Sequence, residues 1–214
     1  MKCILDIETD GLLDTMSKVH CIVAYDIDKK QPHIFIGDEC ITKFSTFAQG
    51  VSEFIMHNGM SFDAVALNKT CNANIMPNKI TDTLILSQLF NPVRDGGHSL
   101  AAWGERFKMP KGGVDSFDYY TPAMLDYCKR DVNITYKLYQ HLKNESKGFS
   151  KQSVELEHKV RNLIDEQERT GFYLDIPYAS MFVARLADQA DSIHNQLQEV
   201  FPAAVVTGRT HKTS

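Results

Sequence analysis

The chain has 214 residues, of which 43% are hydrophobic and 23% charged, and its 23 Lys and Arg against 27 Asp and Glu give a formal charge of −4. These values are typical of a soluble globular protein, and the length suits one full domain followed by a shorter segment. The near-neutral balance argues against binding of duplex nucleic acid mainly by phosphate neutralisation, because that mode requires a large basic excess. The charge does not exclude a small, local site for nucleic acid.

Cysteine usage and hydropathy exclude two further classes of protein. The five cysteines are odd in number and widely spaced, and none forms a Cys-x-x-Cys pair, so neither a disulfide framework nor a zinc site is indicated. Asp6 and Glu8 interrupt the first apolar stretch, and no later run approaches ~18 apolar residues. We therefore expect a protein of a reducing compartment, with neither a signal peptide nor a membrane span.

The first part of the chain has the pattern of β-strands. Three short apolar segments, at residues 3–7, 20–25 and 33–36, are joined by turns around Asp10-Gly11 and residues 28–30, which predicts an antiparallel meander. A short helix at residues 44–53 and a buried strand at residues 54–56 are predicted to follow.

Helical periodicity dominates the rest of the chain. Helices are predicted at residues 61–68, 84–90, 99–107 and 122–142, with Asp82 as the N-cap of the second. Strands first and helices later, with β-α-β alternation between them, predict an α/β fold in which helices flank a mixed sheet.

A polar break at residues 144–148 separates this pattern from two longer amphipathic helices joined by a turn at Gly171. We therefore predict a domain of residues 1–148 and a helical segment of residues 149–214.

Two carboxylates lie together on the first predicted strand. Side chains alternate along a strand, so Asp6 and Glu8 point to the same face. A solvated strand end is the plain alternative, but the flanking Ile4, Leu5 and Ile7 indicate a buried strand. Burying two like charges is costly unless a cation compensates them, and a hard divalent cation with oxygen ligands fits this pair.

Two further motifs carry acidic residues. Asp63 follows the strand predicted at residues 54–56 and opens a helix; alternatively, Ser61 is the N-cap and Asp63 only a favourable charge in the first turn. Tyr127 and Asp131 lie one turn apart on one helix face, where Asp131 alternatively pairs with the basic residues that precede it. Each motif alone is weak.

Together, Asp-x-Glu on a first strand, Asn-x4-Asp after a later strand and Tyr-x3-Asp on a long helix resemble the DEDD superfamily of 3′–5′ exonucleases, in the branch that has Tyr in its third motif. The resemblance covers about residues 1–143 and implies a ribonuclease-H-like fold with two bound Mg²⁺ ions, for which Mn²⁺ can substitute. It assigns metal binding and catalysis to Asp6, Glu8, Asp63 and Asp131, with Asp6 bridging both ions. Orientation of the attacking water is assigned to Tyr127.

The resemblance also suggests substrate contacts. Leu12 matches a position whose apolar side chain wedges against the terminal base, although a simple core leucine is the alternative. Asn58 is expected to touch the nucleotide, and His57 to be structural. Four basic residues border a strand-binding groove or, alternatively, lie on a solvated loop face: Arg94, Arg106, Lys108 and Lys111.

Two segments narrow the resemblance to one class of exonuclease. Residues 98–104, His-Ser-Leu-Ala-Ala-Trp-Gly, followed by Phe107, are similar to the segment between the second and third motifs in family A DNA polymerases of podovirus-like phages. Residues 163–175 resemble the helix, turn and second helix with which the polymerase domain of that family begins. No palm or finger motif follows before Ser214, so we expect a fragment or the product of a split gene.

The resemblance therefore implies a 3′–5′ exodeoxyribonuclease, the proofreading module of a phage-type DNA polymerase, which releases nucleoside 5′-monophosphates. Its expected partners are a single-stranded or frayed DNA 3′ end and a polymerase domain or chain, with no membrane. Its expected location is the cytoplasm, that of the host if the chain is viral. Two alternatives stay open: a ribonuclease-D-like exoribonuclease, which shares every catalytic residue, and a non-catalytic scaffold for a separate polymerase chain.

Overall fold

The computed structural model describes residues 1–110 and 112–202. Lys111 and residues 203–214, the end of the predicted helical segment, lie outside the described residues. Five strands form one mixed sheet in the order β3-β2-β1-β4-β5. Their bounds are β1 (Lys2–Thr9), β2 (Val19–Asp26), β3 (Gln31–Ile36), β4 (Glu53–Met56) and β5 (Ile80–Asp82).

The predicted meander is confirmed, since β1, β2 and β3 pair antiparallel, while β4 and β5 run parallel to β1. The helix predicted at residues 44–53 ends at Gln49, and Glu53 belongs to β4. Strand β5 was not predicted, because a strand of three residues is too short to show an alternating pattern.

The helices follow the strands in the chain. Their bounds are α1 (Glu39–Thr42), α2 (Phe44–Gln49), α3 (Asp63–Cys71), α4 (Thr83–Phe90), α5 (Leu100–Arg106), α6 (Pro122–Glu145), α7 (Lys151–Thr170) and α8 (Ile176–Val200). Asp82 is the N-cap of α4, as predicted, and its side chain accepts a hydrogen bond from the amide of Leu84.

Alternation along β1 builds a different hydrophobic core on each face of the sheet. Cys3, Leu5 and Ile7 pack in one core with residues of α1, α2 and α3, whereas Ile4 packs in a second core with residues of α6. The even-numbered side chains of β1 therefore point towards α6. The predicted α/β fold, a ribonuclease-H-like mixed sheet flanked by helices and followed by a helical segment, is confirmed.

The described residues form two compact units, one that ends at Arg169 and one that begins at Thr170. Helix α7 up to Arg169 belongs to the first unit. Helix α8 belongs to the second unit, and none of its residues is buried. The independent folding of residues 1–148 stays a prediction. None of the described helices is both long and apolar enough to cross a membrane.

Candidate active site

A cleft of about 210 Å³ opens at the ends of β1 and β4. These strands pair in parallel up to Ile4 and Ile55, and β1 then continues to Thr9 without β4 beside it. On the β4 side, the part of β1 beyond Ile4 therefore borders the cleft instead of a neighbouring strand. The described residues that line it are Asp6, Ile7, Glu8, His57, Asn58, Phe62, Asp63, Phe117, Tyr127 and Asp131.

Asp6 and Glu8 enter this cleft from the face of β1 that points towards α6. Carboxylate oxygens of these two residues and the sulfur of Cys128 all lie within 4.8 Å of one another. The Cys128 thiol donates a 3.3 Å hydrogen bond to the backbone carbonyl of Asp6. Burial raises the pKa of this thiol well above its ordinary value, so it stays protonated and the two carboxylates are the candidate metal-binding donors of this group.

Helix α6 carries the third motif. It begins with the N-cap Thr121, whose hydroxyl accepts from the amide of Met124, and with Pro122 in the first turn. Cys128 is fully buried against β1, and the helical repeat then brings Tyr127 and Asp131 to the edge of the same face. Asp131 is 2% exposed, so the carboxylate that this helix contributes to the cleft is buried.

Asp63 is the first residue of α3 and also lines the cleft. The backbone amide of Ile7 donates a hydrogen bond to its carboxylate, which ties α3 to β1 between Asp6 and Glu8. Burial, followed by the negative charge of Asp82, raises the pKa of Asp63 from 3.8 to about 7, and the charge of Asp131 adds to the shift. Burial and the neighbouring carboxylates therefore disfavour the ionised form of Asp63 in the metal-free protein.

The raised pKa of Asp63 predicts how the metal-free protein responds to pH. The folded chain holds this proton more tightly than the unfolded chain, so the stabilisation is fully present below about pH 3.8 and is lost as pH rises through about 7. We expect the melting temperature in EDTA to fall between about pH 4 and pH 7, and Asp63→Asn to flatten that decline. Asp14→Asn, at an exposed position, is the control; an equal decline in Asp63→Asn would contradict the assignment.

The loop of residues 57–62 joins β4 to α3 and is tightly folded. Asn58 has a positive φ of 61°, a conformation that asparagine tolerates better than most residues. A Cβ atom on Gly59 would lie 2.3 Å from the Cβ of Met56, so only glycine fits there. The interpretation of Ser61 as the N-cap was wrong: the N-cap is Phe62, without a side-chain hydrogen bond, and the Ser61 hydroxyl bonds elsewhere.

Four residues that sequence reasoning did not place in the site also line the cleft: Ile7, His57, Phe62 and Phe117. The Nδ1 atom of His57 lies 3.0 Å from the hydroxyl of Thr83, which itself donates to the carbonyl of Met56. His57 Nδ1 is therefore the donor of that bond. Phe117 lies edge-on to Tyr127 with ring centroids 6.5 Å apart, and nothing in its local sequence signals this position.

Leu12 does not belong to the described residues that line the cleft, and its side chain is 74% exposed. The alternative of a core leucine is therefore wrong. Leu12 follows Asp10, whose carboxylate accepts hydrogen bonds from the amides of Ser17 and Lys18 at 2.8 and 3.0 Å. Burial alone would raise the pKa of Asp10, but hydrogen bonds from these two residues lower it to about 2, so this loop holds a fixed shape.

The basic residues predicted along a groove or a solvated loop are in part structural. The Arg94 and Arg106 guanidinium groups lie 4.5 and 4.6 Å from the ring centroid of the buried Trp103. Arg94 also forms an ion pair with Glu145 at 2.7 Å. These two arginines therefore stabilise the packing around Trp103.

The donor set of the cleft fits a hard divalent cation. Mg²⁺ and Mn²⁺ prefer carboxylate oxygens, and the cleft offers four buried or half-buried carboxylates from three separate elements. Burial and the negative charges nearby raise the pKa of Asp63, and a cation would offset both effects. Asp6, Glu8, Asp63 and Asp131 are the residues that could hold it.

The chain is similar in sequence to the DNA-directed DNA polymerases of Enterobacteria phage T3 and Escherichia phage T7. The identities are 25% and 24% over an aligned length of 257 residues, which covers 92% of this chain. The chain spans about a third of the length of these relatives, 36% of each. No family model matches the chain. The similarity confirms the resemblance to phage DNA polymerases that the sequence motifs indicated.

Solved structures share the fold. A structure described as the apo form of a nuclease has a TM-score of 0.63 and 18% identity, and the match covers 82% of this chain and 88% of that one. NrnC from Brucella melitensis with bound Mg²⁺ has a TM-score of 0.62 and 19% identity, with 82% and 89% covered. NrnC has also been solved bound to pGG.

Proposed function

We propose that this chain, a sequence relative of phage DNA polymerases with the fold of known nucleases, is a metal-dependent 3′–5′ exonuclease that acts on DNA. The observation that carries the proposal is the convergence of Asp6, Glu8, Asp63, Asp131 and Tyr127 on one cleft. These residues belong to β1, α3 and α6, which lie far apart in the chain. The tertiary fold, and not the local sequence, therefore brings their side chains into one cleft. A scaffold without catalysis has no need of four carboxylates in one space.

The reaction is hydrolysis of the terminal phosphodiester. A water oxygen loses a proton and bonds to phosphorus, and the bond to the 3′ oxygen of the preceding nucleotide breaks. That oxygen takes up a proton, and a nucleoside 5′-monophosphate leaves. Two divalent cations, when bound, would lower the pKa of the attacking water and stabilise charge on the leaving oxygen. The four carboxylates would hold the cations, and the Tyr127 hydroxyl would orient the water.

The substrate end is held beside these groups. Asn58 lines the cleft, and its side chain is proposed to contact the terminal nucleotide. Leu12, exposed on the loop after β1, is proposed to pack against the terminal base; an apolar side chain with this exposure has surface available for such a contact.

DNA is proposed as the substrate because the sequence relatives are DNA polymerases, and a polymerase domain or chain is proposed as the partner that supplies the 3′ end. This assignment makes the activity proofreading. A ribonuclease-D-like activity on RNA would use the same residues, and the shared fold with a nuclease of known structure is compatible with it.

The test uses the 214-residue chain with 5′-labelled DNA and RNA oligonucleotides of matched sequence. We expect DNA to shorten from its 3′ end with release of nucleoside 5′-monophosphates in Mg²⁺ or Mn²⁺, and no reaction in EDTA. A circular single strand is the control, since it has no 3′ end. Hydrolysis in EDTA or of the circle would refute the proposal, and faster hydrolysis of RNA would transfer it to the ribonuclease-D-like alternative.

A further inference from the structure

The position of Asp63 depends on the loop of residues 57–62, and this loop is anchored from outside by Asp82. One carboxylate oxygen of Asp82 accepts from the amide of Asn58 at 2.9 Å, and the other accepts from the amide of Met60 at 3.1 Å. Asp82 is 1% exposed. A buried carboxylate that accepts several backbone hydrogen bonds fixes the segment that donates them.

Helix α7 reaches the same loop. The hydroxyl of Ser61, two residues before Asp63, donates to both carboxylate oxygens of Asp165, at 2.9 and 3.0 Å. The Nε of Arg161 donates to the Ser61 oxygen at 3.0 Å, and the same guanidinium forms an ion pair with Asp165. Ser61, Arg161 and Asp165 therefore form a closed hydrogen-bonded group between the loop and the helix.

A second contact joins α7 to Asp82. The Nδ1 of His158 donates to the carbonyl of Val154 at 2.8 Å, so its Nε2 is free to accept, and it accepts from the backbone amide of Asp82 at 2.9 Å. Helix α7 thus supports the loop directly through Asp165 and indirectly through Asp82.

The burial of α7 is unusual for an amphipathic helix. Of its 20 residues, all of them described, only Asp165 is buried, at 4% exposure. Amphipathic helices normally bury apolar side chains, and burying a carboxylate is costly unless it is paired and hydrogen-bonded. The apolar Leu163 and Ile164 beside it are 63% and 38% exposed. The best-buried contact of α7 is therefore a polar one, directed at the loop that carries Asp63.

We infer that Asp165 is a positioning residue of the active site, and that it acts through Ser61 to hold the loop so that Asp63 is placed for metal binding. This inference rests on the proposed function. Asp165 lies in the segment that resembles the start of a polymerase domain, so that segment completes the exonuclease site. If the Asp63 carboxylate is held in place by a rigid loop, it needs no rearrangement when the cation binds. If the loop is mobile, ordering it costs free energy and the cation binds more weakly.

The test measures Mn²⁺ affinity by titration calorimetry on the full chain, with Asp165→Ala, Ser61→Ala and the double variant. We expect each single variant to weaken Mn²⁺ binding roughly tenfold, the lower end of the effect of outer-shell residues. The double variant should be no weaker than the weaker single variant, because both substitutions remove one contact. Ser61→Thr keeps the hydroxyl and should retain the affinity. Glu166→Ala, the neighbouring exposed acid on α7, is the matched control and should equal wild type.

Thermal melting and hydrolysis of the DNA oligonucleotide in the same variants separate positioning from stability. If Asp165→Ala lowers the melting temperature but leaves Mn²⁺ affinity unchanged, the contact is structural and the inference is wrong. If Asp165→Ala fails to fold, the same comparison of melting temperature with Mn²⁺ affinity is made on Ser61→Ala, which is the smaller change. A wild-type chain that neither binds Mn²⁺ nor hydrolyses DNA refutes the proposed function; an active wild type with both variants at wild-type affinity refutes only the role of Asp165.

Discussion

Asp6→Ala is expected to reduce the rate of 3′-terminal hydrolysis by about three orders of magnitude or more. Asp6 is the carboxylate proposed to bridge both cations, so its loss removes water activation and leaving-group stabilisation together. Metal-ion stabilisation is worth several kcal/mol, and each ~1.4 kcal/mol is a factor of ten in rate. Hydrolysis of 5′-labelled DNA in Mg²⁺ measures the loss. A variant that retains more than about a tenth of the wild-type rate would refute the role of Asp6.

The same variant should fold normally. The Cys128 thiol donates to the backbone carbonyl of residue 6, a contact that alanine keeps. Removing one of two adjacent carboxylates also relieves repulsion with Glu8, so the melting temperature in EDTA should rise. Asp14→Ala, an exposed position outside the cleft, is the control for the change in charge and should keep both rate and melting temperature. A fall in melting temperature for Asp6→Ala would mean that lost activity reflects lost structure.

Tyr127→Phe is expected to slow hydrolysis by about 10²-fold, the lower end of the range for acid–base and positioning groups. We expect the smaller loss of rate because bound cations would already lower the pKa of the attacking water. Mn²⁺ affinity should not change, since the hydroxyl is proposed to orient water and not to bind metal. Calorimetry and rates on one preparation test both statements.

Tyr136→Phe is the matched control for that variant. Tyr136 lies on the same helix, and its ring packs edge-on against Tyr25 at 5.5 Å, outside the cleft. The loss of its hydroxyl should leave the rate unchanged. An equal loss of rate and Mn²⁺ affinity in Tyr127→Phe would instead assign Tyr127 to metal binding.

The sequence alone determined the features that follow from short-range periodicity. Alternation on β1 sends Asp6 and Glu8 to one face, and spacing of four residues places Tyr127 and Asp131 one turn apart on α6. The structure brings both pairs to one cleft. These predictions succeeded because the geometry of a strand or helix fixes the direction of neighbouring side chains whatever the rest of the chain does.

Only the tertiary structure decided the partners of side chains that lie far apart in sequence. Ser61 has the local sequence of an N-cap, yet its hydroxyl bonds Asp165, which lies 104 positions further along the chain. Arg94 and Arg106 have the sequence of solvated loop residues, yet both lie against Trp103. Local propensities differ by fractions of a kcal/mol per residue, whereas an unpaired buried carboxylate costs several. The pairing of Asp165 therefore overrode the local preference of Ser61, and the choice of partner depended on how α7 packs.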